Sequence, residues 1–171
     1  MGSEMCIRDW SFDYSQSPLI EELCRDIDVL FLLVPLSPSM KDYARRVIEA
    51  AQKSGIKFIL FNSLFGADPE SSYLLHQVHG EIEDMLDRSG IPWTALRSNR
   101  FMQNFVLQHL EGIRQGAVFV PESEAKSSFV DIRDVADIAV QILLNPASYP
   151  NKFYDLTCLL YTSPSPRDLS T

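Results

Sequence analysis

DVLFLLVPLSPSMKDYARRVIEAAQKSGIKFILFN, residues 28–62, sets one amphipathic helical repeat between two apolar runs of strand length. The first run, 28–34, has no polar alternation, as expected for a strand covered on both faces of a parallel sheet. Ser37, Pro38 and Ser39 supply a turn and a helix cap. Ala44, Val47, Ile48 and Ala51 then recur on one helical face, and Gly55 offers a left-handed stop. Residues 57–62 (KFILFN) return as a second strand. Two strands joined by a helix form a β-α-β unit, and that connection makes the sheet parallel.

The pattern continues in both directions. On the N-terminal side, Ser17 and Pro18 open a short helix to about residue 25. On the other, a loop over 63–71 leads into a helix with Leu75, Val78, Ile82, Met85 and Leu86 on one side, ending at Gly90 before a strand at 93–96. Residues 99–114 read as a helix, and 117–120 and 128–130 as short strands. Asp131, with Asp134 three residues on, resembles a capping box for a helix over 133–144, which Asn145 and Pro146 stop. Residues 153–156 form a last strand. The expected fold class is α/β, a doubly wound parallel sheet. Ligands bind at the C-terminal strand ends of such sheets, so the loops after Val34, Asn62 and Leu96 should share one rim.

The bulk composition narrows the functional classes. At 171 residues, 46% hydrophobic and 22% charged, the chain has the balance of one soluble globular domain. A net charge of -8, with 15 basic residues scattered among 23 acidic ones, argues against a nucleic-acid surface. The longest apolar run, 29–36, falls far short of the roughly 20 residues of a membrane span. The N-terminus shows no secretory signal pattern, so a cytoplasmic location is expected by default. Of the 3 cysteines only Cys24 lies away from the chain ends, which leaves no disulfide or CxxC metal argument and suggests a helix-face filler. His76 and His109 have no sequence partner that would make them ligands, and no metal site is expected.

Four segments in this order resemble the NmrA-like branch of the atypical short-chain dehydrogenase/reductase superfamily. They are FLLVP (31–35); NSLFGAD (62–68) leading to HGEIE (79–83); TALR (94–97) with FMQNF (101–105); and FVDIRDVA (129–136). The resemblance covers residues 10–157 and implies a Rossmann-like fold that binds NAD or NADP. Residues 1–9 (MGSEMCIRD) and the stretch from 158, which reads CLLYTSPSPRD, instead resemble translated read-through of a transposase sequencing adapter. Residues 1–9 and 158–171 are therefore expected to be foreign to the domain.

In the family, the first strand ends in a GxxGxxG turn, where glycine lets the backbone approach the pyrophosphate. The 7 glycines here form no such turn. The resemblance thus implies that the first β-α-β unit, with the residue that chooses between NAD and NADP, is missing, and that the chain alone binds dinucleotide weakly and is inactive. By the same resemblance, Leu33, Val34 and Pro35 border the adenine and ribose side; as residues alone they are a strand end and a proline turn.

Ser63 stands where the superfamily often has its catalytic serine, and a hydroxyl there could orient a substrate carbonyl; it is equally a routine loop residue. His79 occupies the place of the lysine in a Tyr-x-x-x-Lys pair, and Leu75 that of the tyrosine. The usual acid/base pair is absent, and Tyr73 is an off-register substitute. Either His79 holds the nicotinamide ribose or relays a proton, or it is a hydrogen-bonded histidine at a helix border. Asn99, Phe101, Met102 and Asn104 resemble the substrate-pocket wall and suit a flat, apolar electron acceptor such as a quinone, although a core-packing helix would use the same aromatics. Asp131, Arg133 and Asp134 read as a structural cap with a charge pair.

Two functions compete. One is an NAD(P)H-dependent oxidoreductase passing hydride directly to a small-molecule substrate, in which Ser63 and His79 are the catalytic candidates. The other is a non-catalytic redox sensor that binds the dinucleotide and acts through a protein partner. A sugar-nucleotide epimerase is poorly served, because that chemistry relies on the missing tyrosine.

Overall fold

The computed structural model describes residues 14, 17–116 and 128–157. In chain order the elements are α1 (Ser17–Leu23), β1 (Val29–Leu32), α2 (Met40–Ser54), β2 (Phe58–Leu64), α3 (Leu74–Ser89), β3 (Trp93–Ser98), β4 (Arg100–Phe101), α4 (Asn104–Gln108), α5 (Leu110–Arg114), β5 (Phe129–Val130), α6 (Ile132–Leu144) and β6 (Lys152–Leu156). Strands β1, β2, β3 and β6 form one sheet in that order, parallel throughout. The short β4 and β5 pair beside it, also in parallel. This is the expected α/β, Rossmann-like architecture.

Helices cover both faces of the sheet, and the pleat of β2 shows how. Ile59 and Phe61 point to one side, into a core built from α1, α2 and α3 with Ala44, Ile48, Ala51, Ile82 and Leu86. Phe58 and Leu60 point to the other, against Val135, Ala139 and Ile142 of α6. Burial on both faces explains why this strand carries no polar alternation. Gly55 (φ 74°) and Gly90 (φ 73°) end α2 and α3 in the left-handed region, where a side chain would be strained. At the N-terminus of α6, Asp131 is the cap, as anticipated, but its carboxylate accepts the Arg133 backbone N–H, and the Asp134 N–H bonds the Asp131 carbonyl in place of the capping-box contact. Ser39 precedes α2 without a side-chain cap; the first bond there runs from the Met40 N–H to the Ser37 carbonyl.

Two further expectations change. Strand β1 is the edge of the described sheet and is not wholly covered: Leu32 is buried, but Phe31 and Leu33 are exposed, because the side chains of α6 pack over β2 and β3. The single helix over 99–114 is instead a short strand and two five-residue helices. Backbone bonding draws the first residues out of helical geometry: the Asn99 N–H donates to the Leu156 carbonyl, and the Met102 N–H to that of Val130. His109, at φ -117° and ψ 4°, then separates α4 from α5. The strand expected at 117–120 and the chain ends at 1–9 and 158–171 lie outside the described residues. No described helix is long and apolar enough to cross a membrane.

Candidate functional site

The parallel strands end on one rim, and a cleft of about 470 Å3 opens there. Val34 and Leu36 line it after β1, Asn62, Ser63 and Leu64 at the end of β2, and Ser98, Asn99, Arg100 and Phe101 after β3. From α3 come Leu75, His76 and His79. The loop after β2 is pinned onto this helix. Gly66 turns it at φ 76°, and the Asp68 N–H donates to the His76 carbonyl at 3.0 Å. Gly80 permits the contact: a Cβ there would lie 2.3 Å from the Pro69 nitrogen and 2.4 Å from the Asp68 carbonyl carbon. His79 thereby adjoins a close backbone approach that only glycine allows.

Ser63 sits buried, opposite Arg97 in the β2–β3 register. Its hydroxyl donates to Glu83 Oε1 at 2.6 Å. Glu83 is itself buried on α3, where Arg97 grips it through Nη2 at 2.6 Å and through Nε at 3.1 and 3.2 Å. Arg97 Cζ lies over the Phe153 ring, 3.6 Å from its centre. A carboxylate held by arginine is ionised and only accepts hydrogen bonds, so the proton in the Ser63–Glu83 bond belongs to serine.

His79 stacks on Phe61, with ring centres 5.7 Å apart. Its Nδ1 is buried with no hydrogen-bond partner among the described residues, which replaces the expectation of a hydrogen-bonded helix-border histidine. Burial, with His76 adding to it, pushes the imidazole down to about 4. At neutral pH the ring is uncharged, with one nitrogen to donate and one to accept. Its proton is not acidic enough to act as imidazolium would.

Of the wall over 99–104, Asn99 and Phe101 line the cleft along with Asn104, whereas Met102 does not. The Asn99 side chain is already engaged, donating to the Ser128 hydroxyl at 2.7 Å and accepting from the Arg100 N–H at 2.7 Å. Phe101 also packs on the core beneath, beside Val130. Leu33 and Pro35 lie outside the cleft, and Leu33 points to solvent. The structure thus gathers Val34, Ser63, His79, Asn99, Phe101 and Asn104 around one space. Glu83, Arg97 and Gln103 stand in segments that carry the family resemblance, but the sequence assigns them no role; the Gln103 amide bonds the Asp131 carboxylate and the Ile132 N–H at the start of α6. The available signal was a glutamate at an apolar position of α3 and an arginine ending an apolar strand. Tyr73 is 72% exposed and is not part of the lining. Among the described residues no cluster of His, Cys, Asp or Glu could hold a metal ion.

Comparison with known proteins places this geometry. A model described as the NmrA-like family matches residues 10–164. The chain is 33% identical over 132 residues to an NAD(P)H azoreductase of Xenophilus azovorans, covering 77% of this chain and 46% of that protein. It is 27% identical over 145 residues to quinone oxidoreductase 2 of Escherichia coli (strain K12), covering 84% of this chain and 50% of that one. Among solved structures, the NADPH-dependent quinone oxidoreductase of Escherichia coli complexed with NADPH superposes with a TM-score of 0.76 at 27% identity, over 85% of this chain and 51% of that one. The Citrobacter sp. triphenylmethane reductase complexed with NADP(H) shares the fold at a TM-score of 0.75 and 23% identity, over 85% and 52% of the two chains. This chain spans about half the length of the curated relatives it matches.

Proposed function

The chain belongs to the NmrA-like family, and from that premise we propose that it contributes the strand-end cleft of an NAD(P)H-dependent oxidoreductase whose electron acceptor is a flat, apolar molecule of the quinone class. The observation carrying this reading is the meeting of Val34, Ser63 and His79 with Phe101 and Asn104 around one cleft at the ends of parallel strands.

The residues fit one end of a nicotinamide dinucleotide. The buried, unbonded Nδ1 of His79 offers a polar atom for a ribose or carboxamide group, and Met40 and Leu75 supply apolar wall. A neutral imidazole suits a hydroxyl or carboxamide, so we take this as the nicotinamide and ribose end. Bound there, the reduced nicotinamide supplies the hydride.

The chain's own residues favour an acceptor that needs little acid help. Ser63 has its proton committed to Glu83, His79 is neutral, and Leu75 stands in place of a phenol. A quinone accepts hydride without prior protonation, and its oxygens can take protons from water or through the neutral His79. Phe101 provides a flat surface for such a ring.

The test is NADPH and NADH oxidation by the protein at the full length of its relatives, over a panel of simple quinones. Turnover above the uncatalysed rate supports the reading; background rates across the whole panel refute it. The same scarcity of proton donors is the one observation favouring a redox sensor that works through a protein partner. Tight binding that separates oxidised from reduced dinucleotide, without turnover, would identify that alternative.

A further inference from the structure

The Ser63–Glu83–Arg97 chain gives the cleft a polarity that a serine would not have by itself. A free hydroxyl rotates to donate or accept as its ligand requires. Here rotation is stopped: Oγ lies 2.6 Å from Glu83 Oε1, and the carboxylate cannot turn away because Arg97 holds it through Nη2 and Nε. Arg97 is fixed in turn by the Phe153 ring on β6. Freeing the serine proton would take the short, charge-assisted bond away from a buried carboxylate and leave Oε1 with only the longer bond from Arg97 Nε, and that costs more than a hydroxyl rotation. All that Ser63 retains for the cleft is the lone-pair side of its oxygen.

We propose that the buried Glu83–Arg97 pair locks Ser63 as a hydrogen-bond acceptor, so that this part of the cleft selects ligand groups carrying an N–H or O–H and does not polarise a carbonyl. Ser63 is then the specificity-determining contact, and Glu83 and Arg97 are positioning residues. The assignment reverses the donor role expected of a serine at this position. It rests on the cleft being the nicotinamide end of the proposed site, where the carboxamide NH2 and the ribose hydroxyls are groups of the required kind.

The experiment uses the 171-residue chain and two probes of nearly equal shape, nicotinamide and 3-acetylpyridine, in which a methyl group replaces the amide NH2. Without any ligand, NMR should show a slowly exchanging Ser63 hydroxyl proton with a nuclear Overhauser contact to the Glu83 side chain. In titrations read at the Asn62, Ser63 and His79 amides, nicotinamide should bind roughly fivefold tighter than 3-acetylpyridine. Ser63→Ala should equalise the two probes, and Ser63→Thr should restore the preference. In Glu83→Gln, Arg97 retains the amide oxygen and the NH2 turns to Ser63, which frees the hydroxyl to donate; the preference should vanish or invert. A fold defect alone would weaken both probes together.

Absence of the protected hydroxyl proton, or equal binding of the two probes by the unmodified chain, overturns the proposal. If neither probe moves the cleft amides, the nicotinamide site itself is refuted, and the hydroxyl proton still decides whether Ser63 is locked.

Discussion

Acidifying the protein from about pH 7.5 to about pH 5 should remove about 2 kcal/mol of stability through His79 alone. The imidazole is pushed from its ordinary 6.5 to about 4, chiefly because its charged form would have to enter a buried position. Between those values the unfolded chain binds a proton that the folded chain refuses, so stability rises with pH across the window and falls as acid is added. At about 1.4 kcal/mol per pH unit, the loss should level off near 3 kcal/mol once the pH is below about 4. Asp131 has the same sign in a lower window. Its carboxylate is held below its ordinary 3.8 chiefly by the Arg133 guanidinium, so its contribution is complete above that value and is lost only in stronger acid. The variant that isolates the His79 effect is His79→Phe, which keeps an aromatic ring against Phe61 and removes the titrating nitrogens. Urea unfolding over a pH series should give curves that coincide near neutrality, or favour the variant slightly, and diverge in its favour below about pH 6. The Hε1 resonance of His79 offers an independent reading. A histidine signal titrating at its ordinary position, or a difference between the two proteins that stays flat down to about pH 5, would refute the reasoning.

Gly80→Ala should destabilise by more than about 2 kcal/mol in denaturant unfolding, because the new methyl meets the backbone of Pro69 and Asp68 and not a flexible side-chain end. Amide shifts over 66–70 should move with it. Glu83→Ala leaves Arg97 buried and unpaired, and should cost about 3–5 kcal/mol; replacing both as Glu83→Leu with Arg97→Met should cost less than the single change, as read by the same unfolding assay. Asp131→Ala should lower the thermal midpoint by removing the acceptor for the Arg133 N–H, while Asp131→Asn, which still accepts there, should retain most of it. A midpoint for the asparagine variant no better than that of alanine would place the effect in the exposed Asp131–Arg133 ion pair.

The regular elements were legible because their signals are local. Ala44, Val47, Ile48 and Ala51 repeat at the helical period, and all four are buried. Residues 58–61 lack polar alternation because helices press on both faces of β2. What escaped depends on partners distant in the chain. Residues 99–114 carry enough helical character to suggest one helix, but bonds from Asn99 to Leu156 and from Met102 to Val130 override it. The three strand ends that make the cleft were foreseeable from topology, whereas Leu33 and Pro35 lie outside it and Leu33 is exposed. Ser63 was singled out from its place in the chain. The carboxylate that accepts its proton lies 20 residues on, so no spacing rule could show that this proton is spent within the protein.

The pairing of β3 with β6 also bears on how the chain assembles. Strands β1, β2 and β3 are joined by crossovers of one helix each, but Trp93 meets Asn151 across 58 residues of chain. Closing so long a loop costs entropy before any of its contacts are gained. The β3–β6 seam should therefore form last and open first, with α6 and β6 exchanging their amide hydrogens as one unit ahead of β2. Since Phe153 braces Arg97 from that seam, each such opening would also release the grip on Glu83.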